Sequence, residues 1–156
     1  MKIICVVGEC YSGKSFLIEK LTNIFQATVI HLGDIFRKKN YNSICVDEHI
    51  VATTLIDFCN NTPVEKNVII DNAFKNVKQA EAVLSSIGKE IGIYIIWVTN
   101  KRSEVDFSSR NRIDDKNIES KLKLWKENEK DLREFLEKNN YKIQDVYNTD
   151  NGFLFC

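Results

Sequence analysis

Residues 2–25 constrain the chain most. KIICVV at 2–7 is a short apolar, β-branched run, and GECYSGKS at 8–15 is dense in turn-forming residues. From there Phe16, Leu17, Leu21 and Ile24 or Phe25 recur at helical spacing. The chain therefore opens strand, loop, helix. The same alternation continues. Residues 27–32 (ATVIHL) read as a second strand, and Asp34 caps or begins a helix through Ile35, Phe36 and Arg37. Asp47 precedes an apolar-periodic stretch of Ile50, Thr54 or Leu55, and Phe58; Pro63, the single proline, marks a loop. NVII at 67–70 is a third strand ending at Asp71, and Val77, Ala80, Val83 and Leu84 give one helical face. IYIIWV at 93–98 is apolar almost throughout, as suits a strand covered on both faces. A long helix is expected over 117–137, with Ile118, Leu122, Trp125, Leu132 and Phe135 or Leu136 on one side and a solvated Lys/Glu face opposite. A last strand lies near 143–147. Strands alternating with helices predict an α/β fold: a central parallel sheet of about five strands with helices on both faces.

The chain's 156 residues suit one domain, and 44% hydrophobic with 28% charged residues excludes intrinsic disorder. No apolar run is long enough for a membrane span, and MKIICVVGEC reads as a strand rather than a secretory signal. Five widely spaced cysteines without a CxxC are neither a disulfide framework nor a zinc site; a reducing, cytoplasmic setting is expected, away from membranes. Lys+Arg and Asp+Glu both number 22, which argues against a nucleic-acid binder but permits a local basic pocket. Only Arg37, Arg102, Arg110, Arg112 and Arg133 are arginines, so each is more informative than usual, because the planar fork suits phosphate and carboxylate.

GECYSGKS is G-x-x-x-x-G-K-[ST] between a predicted strand and a predicted helix. In that context successive backbone N–H groups wrap an anion and the helix N-terminus adds positive dipole. Gly8 and Gly13 permit conformations a side chain would block. Lys14 would stand between the β- and γ-phosphates of a triphosphate, and Ser15 would offer its hydroxyl to Mg²⁺. Cys10, Tyr11, Ser12 and Phe16 complete the expected ATP-binding segment. Asp71, ending an apolar strand, is placed to hold the Mg²⁺ shell through water, which makes Mg²⁺ with ATP the expected cofactor. The plainer readings are a glycine turn with a capping serine, and an aspartate capping the turn after its strand.

Three further segments are HLGDIFR at 31–37, IIDNAFKNVKQAE at 69–81, and RNRIDD at 110–115 followed by KLKLW at 121–125. With GECYSGKS, their order and rough spacing resemble the adenylate kinase-like nucleoside monophosphate kinases. That family carries a phosphate loop, T-G-D-x-x-R, D-G-[FY]-P-R-x-x-x-[QN], and R-x-D-D before a long helix. The resemblance implies a three-layer P-loop NTPase fold, with an acceptor-binding insertion over about 33–62 and a short lid over about 108–115. It implies Mg²⁺-dependent transfer of the ATP γ-phosphoryl group to a nucleoside monophosphate or deoxynucleoside monophosphate; a monomer is expected, with an oligomer left open. Gly33, Asp34, Arg37, Lys75 and Gln79 would bind the acceptor; Arg37 matches a phosphate-binding arginine, and Gln79 a residue that bonds the base. Lys14, Arg110 and Arg112 would be catalytic, with Asp114 and Asp115 orienting the lid arginines.

The chain departs from the family pattern in places. D-G-[FY]-P reads Asp71-Asn72-Ala73-Phe74, so its glycine and proline are both lost, Leu32 stands where threonine is common, and Lys75 replaces an arginine. On the residues alone, Arg37 also reads as a helix-end surface group, Gln79 as an exposed helix residue, and 110–115 as a salt-bridge loop. Two other functions fit the motifs: a kinase of another small molecule with Asp34 as base, and a nucleotide-binding module that has lost acceptor binding.

Overall fold

The computed structural model describes residues 2–39, 41, 46–63, 66–88, 90–103 and 118–156. These form β1 (Lys2–Gly8), α1 (Lys14–Phe25), β2 (Thr28–His31), α2 (Leu32–Lys38), α3 (Glu48–Asn60), β3 (Val68–Asp71), α4 (Val77–Ser86), β4 (Gly92–Asn100), α5 (Ile118–Lys138), β5 (Ile143–Thr149) and β6 (Gly152–Phe155). The expected lid, with Arg110, Arg112, Asp114 and Asp115, lies outside the described residues, as does Cys45.

The sheet order is β2-β3-β1-β4-β5-β6. The first five strands run parallel, as the alternation predicts. A sixth, β6, turns back antiparallel on β5, with Val146 opposite Phe155, and so corrects the expected five. Thr149 closes this hairpin, its hydroxyl donating to Gly152 O at 2.7 Å and accepting from the Asn151 amide at 3.2 Å.

Period-two alternation along β1 divides the core. Ile3, Cys5 and Val7 pack with Leu32, Leu55, Phe74, Val83, Trp125 and Leu136 on the face carrying α2 to α5. Ile4 and Val6 pack with Leu17, Ile18 and Leu21 of α1 on the other. β4 is buried on both sides: Ile95 and Trp97 join the first cluster, Ile96 and Val98 the second.

Two helical faces differ from expectation. In α1 the buried stripe is Leu17, Ile18 and Leu21, while Phe16 and Ile24 are 68% and 70% exposed. In α5 the side turned inward holds Lys121, Trp125, Leu132 and Leu136; Lys121 is 9% exposed and Leu122 only half-buried. Arg133 locks α5 to the sheet through a bidentate pair with Asp145 (2.7 and 2.8 Å) and stacks 5.2 Å above the Trp97 ring. No helix among the described residues is long and apolar enough to cross a membrane.

Candidate functional site

β1 leads through α1 toward β2 on one side of the sheet, and β4 leads through α5 toward β5 on the other. The connections diverge at the carboxyl ends of β1 and β4, where open parallel sheets leave a crevice. A cavity of about 430 Å³ opens there. Its wall brings together residues 8–16, the 31–37 segment, and Asp71, Lys75 and Gln79, which are far apart in sequence. Every candidate site residue within the described residues lines it.

The loop from Glu9 to Gly13 is set by close approaches. A Cβ on Gly8 would lie 2.5 Å from the Val98 carbonyl oxygen of β4, and backbone does not yield. Gly13 has φ 90 and abuts the Asn148 side chain, so it needs both a left-handed conformation and the missing Cβ. Tyr11, at φ 60, is a left-handed non-glycine residue in the same turn. Lys14 curls back over this loop: its Nζ donates to Gly8 O at 2.9 Å, to Glu9 O, and to the buried Ser12 Oγ at 3.3 Å. Asp47 and Asn76 cap α3 and α4 through side-chain oxygens, but α1 starts at Gly13 with no side-chain cap. Its first amides thus carry the helix's positive end toward the cavity that Gly13, Lys14 and Ser15 line.

From α2, Arg37 also lines the cavity. Its guanidinium pairs with Asp34 and lies against Gly33, where an added Cβ would be 3.2 Å from Nη1. At the end of β3, Asp71 meets His31, its partner in strand register, with Oδ2 3.1 Å from Nδ1. Asn72 follows with φ 60, donating its amide to Val6 O at 2.9 Å. Gln79 is 5% exposed, and the fold engages its amide: Oε1 accepts from the Lys75 N–H at 2.9 Å, and Nε2 donates to Val46 O at 2.8 Å.

Lys14, Arg37, Lys75, Arg102 and Lys121 line the cavity against three carboxylates, Glu9, Asp34 and Asp71, so a neutral chain carries a basic pocket. Burial and the Glu129 charge raise the Glu9 pKa, while Lys126 and Lys14 oppose the shift. Among the described residues no cluster of three or more His, Cys, Asp or Glu exists that would hold a metal by itself. Ser15 and Asp71 are two oxygen donors, enough for a Mg²⁺ whose other positions are filled by phosphate and water.

Three residues at or behind the site had no role assigned from the sequence. Arg102, beyond β4, donates Nη2 to Tyr11 O and Nε to Asn100 Oδ1 (2.8 Å). Asn148 of β5, buried, donates Nδ2 to Ser12 O at 3.1 Å. Lys121 brings a cation from α5. The scarcity of arginine pointed toward Arg102; nothing in the spacing pointed to Asn148. No model of a known protein family matches the chain, and no curated protein matches it significantly.

Proposed function

We propose that the chain is a nucleoside monophosphate kinase of the adenylate kinase-like P-loop class. The observation that carries this reading is convergence: residues 8–16, Arg37, Asp71, Lys75 and Gln79, chosen from separate segments, line one basic cavity at the carboxyl ends of parallel strands. On this reading the β1–α1 loop and the uncapped α1 terminus bind the triphosphate of ATP. Lys14 leaves its own loop's carbonyls to meet the phosphates, an exchange of one set of acceptors for charged ones. Ser15 and Asp71 would hold the Mg²⁺ that arrives with the nucleotide, which supplies charge neutralisation at the β- and γ-oxygens.

Arg37 and Lys75 bring the acceptor phosphate to the opposite side. An acceptor phosphate oxygen attacks the γ-phosphorus in line; the bond from that phosphorus to the β,γ-bridging oxygen breaks, and ADP leaves. The protein's part is positioning and electrostatic stabilisation, with no strong base required. The rival reading of Asp34 as a base for an alcohol acceptor is disfavoured, because the structure engages the Asp34 carboxylate in an ion pair with Arg37.

The test is a panel of ribo- and deoxyribonucleoside monophosphates with Mg·ATP, reading ADP formation, beside a panel of non-phosphorylated acceptors. Transfer to at least one monophosphate is expected. Transfer only to an alcohol, or ATP binding without transfer to any acceptor, would overturn the proposal.

A further inference from the structure

We propose that Arg102 and Asn148 are positioning residues that hold the 9–13 loop in its anion-binding shape before any ligand arrives. The inference rests on reading that loop as the triphosphate site, and it adds how the loop is kept in form. The two side chains grip consecutive carbonyls: Arg102 Nη2 donates to Tyr11 O, and Asn148 Nδ2 to Ser12 O at 3.1 Å. In a trans peptide the N–H points opposite to the C=O. Drawing the Ser12 carbonyl toward Asn148 therefore turns the Gly13 N–H the other way, and drawing the Tyr11 carbonyl toward Arg102 fixes the Ser12 N–H, which reaches back to Glu9 O at 3.4 Å. The residue between the two grips and the preceding turn is strained. Tyr11 sits at φ 60, and such residues persist only where the surroundings over-determine them.

The grips are anchored on rigid strand ends. Asn100 and Asn148 are register partners across β4 and β5. Asn100 Oδ1 accepts from both the Arg102 backbone N–H (3.1 Å) and Nε (2.8 Å), so the guanidinium is held at one edge while it grips the loop with another. The Lys101 amide donates to Asn148 O at 2.8 Å, and the Ser103 amide to the Asp150 carboxylate at 3.1 Å. Asn148 also presses against Gly13, so the missing Cβ there and the buried amide form one fitted contact. Arg102 needs its fork for this task. A lysine keeps the charge but lacks the planar fork that here meets Asn100 Oδ1 with Nε and Tyr11 O with Nη2.

The experiment compares the unsubstituted protein with Arg102→Ala, Arg102→Lys and the near-isosteric Asn148→Asp. Thermal melts first establish that each variant is folded. Amide hydrogen exchange over residues 9–14 is then followed without ligand, and affinities for Mg·ATP and inorganic tripolyphosphate are measured by calorimetry. All three variants are expected to exchange at least tenfold faster over 9–14, with exchange in β1 and β3 unchanged. They are expected to bind both ligands about tenfold more weakly and by the same factor, because the defect lies in the phosphate cradle. Unchanged loop exchange overturns the inference, and so does full restoration by Arg102→Lys, which would make Arg102 a simple charge. A wild-type protein that binds neither ligand would sink the proposed function instead, while the exchange comparison still decides whether the grips hold the loop.

Discussion

The contact between Gly13 and Asn148 allows a stability prediction with a built-in control. In Gly13→Ala the new Cβ collides with the Asn148 amide nitrogen and comes within 3.1 Å of its Cγ, at a backbone φ of 90. Two costs follow. Holding an L-residue in the left-handed region costs roughly 1–2 kcal/mol. Displacing Asn148, which is buried, breaks its bond to Ser12 O and leaves polar groups unsatisfied, at roughly 1–3 kcal/mol. The sum is about 3 kcal/mol, which for a domain of this size lowers Tm by about 6–12 °C. Asn148→Ala by itself loses the same hydrogen bond and costs roughly 1–3 kcal/mol. In the double variant the collision is gone and only the backbone strain and the one lost bond remain. The double variant should therefore be more stable than the sum of the single effects allows, by roughly the 1–3 kcal/mol of the bond that both single variants lose. Urea denaturation of all four proteins measures the cycle. Additivity within about 0.5 kcal/mol, the usual result for independent sites, would refute the claim that the two residues are one fitted contact.

Three further outcomes are expected. Lys14→Met should lower kcat/KM for phosphoryl transfer on the order of 100-fold, the loss of ~3 kcal/mol typical of removing a preorganised charge contact; a near-normal rate in a coupled ADP assay would exclude the role given to Lys14. Gln79→Ala should raise KM for the acceptor more than for ATP and destabilise the fold by roughly 1–3 kcal/mol, since it strips partners from the Lys75 N–H and Val46 O; equal effects on both substrates would count against an acceptor-side position. Burial pushes the Cys5 thiol from 9.0 up to about 12, so the unfolded chain releases this proton first and stability falls as pH rises across that window. Cys5→Ala should then lose stability less steeply in alkali, the difference approaching about 1.4 kcal/mol per pH unit, as denaturation at pH 8, 9 and 10 will read.

The parallel sheet was legible because each buried strand is a short apolar, β-branched run separated by helical spacing, and hydrophobic burial enforces both patterns. β6 was missed although Asn151-Gly152 is a recognised hairpin signal, because GFLF is short and follows a polar step. In α1 the positions 16, 24 and 25 are as apolar as 17, 18 and 21, and only the sheet decides which set is covered. In α5 Leu122 and Lys121 are neighbours, and a pattern of hydrophobicity favours the leucine inward. The cavity reverses that choice at this turn, because a lysine can bury its stem and bring its charge to a polar site. The β1–α1 loop was legible because its conformation requires glycine at fixed places. The scarcity of arginine marked Arg102 without giving it a task, and nothing marked Asn148, since both grip backbone carbonyls and that task leaves no spacing to recognise.

The segment from Asp71 to Lys75 separates what the fold absorbs from what the chemistry would feel. Asn72, where the resembled family has glycine, takes φ 60, a conformation asparagine tolerates better than other non-glycine residues. Its amide and that of Ala73 both reach Val6 O, at 2.9 and 3.4 Å, and Ala73 and Phe74 are fully buried. The backbone of this turn is thus tied to β1 without the glycine or the proline. Lys75 differs in kind. A lysine holds an acceptor phosphate as a point charge, whereas arginine offers a two-pronged contact that also fixes orientation. On the proposed function, Asn72→Gly should therefore change stability by only a few tenths of a kcal/mol and leave acceptor KM as it is, while Lys75→Arg should lower acceptor KM severalfold with little effect on KM for ATP. The reverse pattern, a KM gain from Asn72→Gly and none from Lys75→Arg, would mean that the backbone of the turn, and not the charge it carries, limits how the acceptor is held.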